Sequence, residues 1–164
     1  MEKKELKLAL WKSLHGMVIP MAFFKDIPET DMDAFKEIYD NPEKNLQLAE
    51  CYFEKSSLFE KVRKETMLCI LEYASRSLFE ELGVLAVTLY CEADDNSNVD
   101  AMPLLKILSE RNYSYVVHCA FCLMAFNFEQ ISESCLPMLE KVYEQHKAGL
   151  EARGKKWFEK RHSY

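Results

Sequence analysis

The chain has 164 residues and a mass of 19.2 kDa, the length of one ordinary domain. Hydrophobic residues make up 49% and charged residues 29%, a balance that excludes both a disordered chain and an integral membrane protein. Four Gly and five Pro are too few breakers for a turn-rich all-β fold, and a net charge of −6 with pI ≈ 5.3 argues against nucleic acid as the main partner.

Leu6, Leu10, Leu14, Met17 and Met21 recur at steps of three and four and predict a helix, weakened at Gly16 and ended by Pro20. Thr30 with Asp33 resembles a capping box opening a short helix that turns Phe35, Ile38 and Tyr39 inward. Asn41-Pro42 stops it and starts the next, with Leu46, Ala49, Tyr52 and Phe53 on one face and a break or kink at Ser56-Ser57.

Leu58, Val62, Leu68, Ile70, Leu71 and Tyr73 predict a helix with a widening apolar face. Leu78, Phe79, Leu82, Leu85, Val87, Leu89 and Tyr90 predict another, apolar on nearly all sides and therefore central. A strand over 84–90 is the weaker reading, because the helical pattern continues from Phe79 to Leu82.

Residues 94–99, beginning Asp94-Asp95-Asn96-Ser97-Asn98, read as a polar loop between two halves of the domain. Asp100 should cap a helix carrying Leu104, Leu105, Ile107 and Leu108, with Asn112 ending it. Tyr113 to Phe128 predicts a second central helix. Ser132 or Ser134 should start the last one, which places Leu136, Leu139, Tyr143 and Leu150 on one face. Gly149 and Gly154 should loosen its end, leaving 155–164 as a basic, flexible tail with Trp157 and Phe158 docked or frayed.

The sum is an all-α fold, one domain over 1–164, with about seven or eight helices. A bundle is favoured because no signature repeats at a fixed period. The alternative is a short solenoid of helical pairs near 42–74, 78–112 and 113–150.

The six cysteines, Cys51, Cys69, Cys91, Cys119, Cys122 and Cys135, lie mostly within apolar helical patterns, where a free thiol acts as a small hydrophobe. A core of this size needs no disulfide, which fits a reducing, cytoplasmic setting. The N-terminal apolar stretch Met17–Phe24 contains Pro20 and lacks a cleavage-site pattern. The longest uncharged run, Asn112 to Phe128, contains Asn112, Ser114, His118 and Asn127 and falls short of the ~18 apolar residues of a spanning helix.

Few residues invite a chemical role. Cys119 and Cys122 have the spacing of a zinc or redox pair and share a helix face, but a structural zinc site needs a second close pair and a redox pair needs a helix start after a strand. Two packed core thiols are the expectation, with no metal and no cofactor. His15 has no carboxylate one turn away to orient it as a base, and His146, between Glu144 and Lys147, reads as a surface residue. No nucleophile elbow, phosphate-cradling Gly loop or HExxH motif occurs, so catalysis is not expected.

Charge is unevenly placed. Residues 26–60 hold ten acids and three bases, a balance of −7, and residues 92–100 hold four acids and no base. Residues 141–164 hold seven bases and three acids, a balance of +4. An acidic flank of this kind steers a basic partner. The expected function is a non-catalytic, acidic protein-binding protein. Its most specific form is an inhibitor or immunity-type protein covering the active-site cleft of a basic, nuclease-like toxin. The contact residues would be Glu29, Asp31, Asp33, Glu37, Asp40, Glu43, Glu92, Asp94, Asp95 and Asp100. The alternative is a helical adaptor or chaperone-like protein, able to form a homodimer, holding a peptide or amphipathic helix in an apolar groove lined by residues such as Met17, Met21, Met102 and Met124.

Overall fold

The computed structural model describes residues 1–14, 63–64, 66–68, 70–72 and 80–162. Five complete α-helices lie among them: α1 (Lys3–Ser13), α2 (Glu80–Asp95), α3 (Met102–Glu110), α4 (Tyr115–Phe126) and α5 (Leu136–His162). Helical residues also occur at 63–64, 66–68 and 70–72, and short 3₁₀ turns at Phe128–Gln130 and Glu133–Cys135. The described residues hold no strand, only an isolated parallel bridge between Val99 and Ile131. The all-α class expected from periodicity is the class observed. The elements expected between Gly16 and Val62 lie outside the described residues.

α4 is the centre. All of Val116 to Phe126 is buried, so the helix touches protein on every side. Ser114 starts it, extended, with its hydroxyl accepting from the Val117 amide at 3.4 Å. The core around it draws Leu6, Leu10 and Leu14 from α1, Leu82, Ala86 and Leu89 from α2, Leu104, Leu105 and Leu108 from α3, and Leu139, Val142 and Leu150 from α5.

The first and last helices close on each other. α1 packs against α5 and α4. Ser13 Oγ lies 2.6 Å from Tyr143 Oη, Tyr143 donates to Ala9 O at 3.2 Å, and Trp11 meets the Phe126 ring edge-on at 5.8 Å between centroids. An open stack of pairs would hold its first and last helices apart, so the described residues form a bundle rather than the solenoid alternative.

Three expectations require correction. α2 is not buried all round: Leu82, Ala86, Leu89 and Ala93 face the core, while Val84 is 59% exposed and Thr88, Cys91 and Glu92 are exposed. Among the described residues no helix covers that face of α2, so apolar composition overstated its burial. Gly149 and Gly154 do not loosen α5, which continues unbroken to His162, so 155–162 extends a helix and is not a separate tail. Gly149 is instead a point of close approach. A Cβ built there would lie 2.5–2.7 Å from ring carbons of Tyr113, so only glycine lets that ring lie flat on α5.

His146 is the third correction. It is 3% exposed, and its Nε2 donates to Leu108 O at 2.7 Å. Gln145 Nε2 donates to Ser109 O at 2.9 Å. The last carbonyls of a helix lack intrahelical partners, and α5 supplies them to α3 from the side. α3 ends at Glu110, with Arg111 as its C-cap and Asn112 already beyond it.

Candidate functional site

Between α2 and α3 the chain must reverse within a few residues. Helix α2 runs through Asp94 and Asp95, so the expected loop over 94–99 begins two residues later, at Asn96. Asn96 Oδ1 accepts from the Asn98 amide at 2.9 Å, the side-chain turn that asparagine favours. Val99 then anchors the corner. Its amide donates to Gln130 O at 2.8 Å and its carbonyl accepts from the Ser132 amide at 2.9 Å. Asp100 Oδ1 accepts from the Met102 amide at 2.9 Å and lies 3.5 Å from Cys135 Sγ. The capping role expected of Asp100 is present in part: its carboxylate satisfies the first amide of α3, while Ala101 occupies the cap position and Pro103 the first turn.

This corner encloses a notch of about 180 Å³, lined from α2 by Leu85, Thr88, Leu89 and Glu92 and from the other side by Asp100, Ala101, Pro103 and Leu104. Its floor is apolar and its only charged lining residues are two carboxylates. Among the described residues neither Glu92 nor Asp100 has an ion-pair partner. Asp94 and Asp95 share the last turn of α2 with no base. Glu92, exposed in the same last turn, faces the negative pole of the helix dipole, which costs roughly 0.3–1 kcal/mol.

Of the ten residues expected to contact a partner, the structure brings Glu92 and Asp100 to one notch and sets Asp94 and Asp95 as positions beside it on α2. Glu29, Asp31, Asp33, Glu37, Asp40 and Glu43 lie outside the described residues, as do Met17, Met21 and His15. The apolar floor was missed. Its signal was present, since Leu85, Leu89 and Glu92 stand at i, i+4 and i+7 and so form one stripe ending in a carboxylate.

The other candidate chemistry lies in the interior. His118 is fully buried and shares a 2.7 Å hydrogen bond between its Nδ1 and Tyr113 Oη. Burial first, and then the Arg153 charge, push its pKa down to about 3, which keeps the ring neutral in ordinary buffers. Its Nε2 has no hydrogen-bond partner among the described residues. Tyr113 is pushed up to about 12 by burial, against the opposing pull of Arg153. The Arg153 guanidinium lies 5.4 Å from the Tyr113 ring and 5.2 Å from the Tyr115 ring. Cys119 and Cys122 are buried, and no group of three or more His, Cys, Asp or Glu suited to a metal ion occurs among the described residues. A neutral imidazole with no carboxylate beside it is suited to packing α4 against α5.

No family model, characterised protein or solved structure matches this chain. No helix among the described residues is long and apolar enough to cross a membrane.

Proposed function

We propose that this protein is a non-catalytic binding protein whose α2–α3 notch receives a basic side chain of a protein partner. The observation that carries this reading is the pairing, in one notch, of an apolar floor with two carboxylates that have no cation partner among the described residues. A lysine or arginine matches that shape. Its aliphatic stem lies on Leu85, Leu89 and Leu104 while its charged head reaches Glu92 and Asp100. The acids of 26–60 extend the same preference along the sequence. The specific form we favour is an inhibitor of the immunity type, whose carboxylates occupy the cationic cleft with which a nuclease-like toxin grips phosphate. Anchors of this kind commonly contribute 2 kcal/mol or more at ~30% or fewer of interface positions, and charge steering raises association rates by about 10- to 10³-fold.

The test is capture from a lysate of the source cells with immobilised protein, wild type against Glu92→Lys and Asp100→Asn. Asparagine keeps an oxygen for the Met102 amide and removes only the charge. A basic protein held at low salt, released as salt rises past about 0.5 M and lost with Glu92→Lys, supports the reading. Equal retention by all three proteins at every salt overturns it. Retention that survives high salt and follows the exposed Val84 instead supports the helical-adaptor alternative.

A further inference from the structure

A different pair of helices encloses a larger hollow of opposite charge. α1 and α5 meet along a cleft of about 450 Å³, lined on the α1 side by Lys12 and Ser13 and on the α5 side by Tyr143, Lys147, Glu151 and Lys155. Three ammonium groups face one carboxylate. Lys147 and Lys155 each stand one turn from Glu151, yet among the described residues neither forms an ion pair with it. Among the described residues, the two α5 cations of this cleft are therefore not neutralised by Glu151.

The floor is polar and buried. Ser13 is 3% and Tyr143 1% exposed, and their hydroxyl oxygens lie 2.6 Å apart. Tyr143 donates to Ala9 O over the longer distance of 3.2 Å, so Ser13 is the donor in the short bond. That chain can reverse. When an oxyanion arrives, Ser13 turns its proton to the anion and Tyr143 donates to Ser13. Ala9 O is not stranded, since it stands four residues before the Ser13 amide within α1.

We propose that this cleft binds a small phosphate-bearing molecule, with Lys147 and Lys155 holding the phosphate oxygens and Ser13 donating from the floor. The volume falls within the ~300–1,000 Å³ of small-molecule sites. Lysine serves as a point charge for phosphate, and a hydroxyl fixed by a second hydroxyl adds direction. Lys12 enters from α1, so the site exists only where the first and last helices meet.

The experiment titrates the full chain calorimetrically with inorganic pyrophosphate, inorganic phosphate and sulfate. Wild type is compared with Lys147→Gln/Lys155→Gln and with Lys106→Gln, a lysine on the exposed side of α3, all three matched for circular dichroism and Tm. The proposal expects one saturable site for pyrophosphate in wild type and in Lys106→Gln, weakened about tenfold or more by the double substitution. Tighter binding of pyrophosphate than of sulfate marks a phosphate site rather than a general cationic patch. Absence of saturable binding up to about 10 mM, or equal binding by the double variant, overturns it. The notch variant Glu92→Lys should bind pyrophosphate like wild type, which separates this proposal from the partner reading.

Discussion

The α4–α5 interior and the α2–α3 corner treat polar groups in opposite ways. In the interior, His146 is tied to Leu108 O, Tyr113 to His118, and the Arg153 guanidinium lies against two tyrosine rings. At the corner, Glu92 and Asp100 border an apolar notch with no described cation. Interior polar groups lock helices together, because an unpaired buried group costs roughly 1–3 kcal/mol. Corner carboxylates remain hydrated, so they tolerate being unpaired and are available to another molecule.

The sharpest way to break this contrast is to remove an interior tie. Arg63 is 2% exposed; it donates to Asn127 Oδ1 at 2.7 Å and to Tyr90 O at 2.8 Å, and lies 4.1 Å from the centre of the Tyr90 ring. Arg63→Met should strand the Asn127 Oδ1 acceptor, remove the added hydrogen bond to Tyr90 O and destabilise the fold by about 4 kcal/mol, read as a lower urea midpoint. A loss near zero would show that these bonds are replaced by water.

Acid should act next most strongly, through His118. Its folded-state pKa of about 3 lies far below the usual 6.5, so the unfolded chain takes up the proton first. This contribution is complete above pH 6.5 and is lost as pH falls towards 3, on the order of 3 kcal/mol by pH 4 at ~1.4 kcal/mol per unit. In urea melts at stepped pH, His118→Gln should flatten that slope. An unchanged slope would place the acid sensitivity elsewhere.

Gly149→Ala should cost about 1–3 kcal/mol despite alanine's better helix propensity, because the new methyl displaces the Tyr113 ring from its base. Loss of the near-ultraviolet tyrosine signal with far-ultraviolet helicity retained would confirm that the ring, not the helix, has moved. The smallest effect belongs to the corner and has the opposite sign. Glu92→Lys puts a cation at the end of α2 and should stabilise the protein by roughly 0.3–1 kcal/mol while abolishing capture of a basic partner. Stabilisation with capture intact would separate the corner acids from binding.

The acidic corner was half legible before any coordinates. Asp94-Asp95-Asn96-Ser97-Asn98 marked a chain reversal, and Asp100 marked a helix start. The two-residue error in the loop arose because helix continuation depends on Ala93 packing into the core, which outweighed the weak helix propensity of Asp94 and Asp95. His146 was misread for a related reason. Its neighbours Glu144 and Lys147 are polar, but burial follows the face a residue occupies, and position 146 is one turn from both Tyr143 and Leu150.

By itself the sequence determined the helical class, the apolar stripe of each described helix and the uneven distribution of charge, because a 3.6-residue period and a local excess of carboxylates need no distant partner to be expressed. Only the tertiary structure decided that α1 closes on α5, that a ring 36 positions earlier in the chain demands glycine at 149, and that one acid on α2 and one just before α3 border one notch. The first two outcomes depend on contacts between residues far apart in the chain, for which no local pattern carries a signal, and the third on how the chain reverses between α2 and α3.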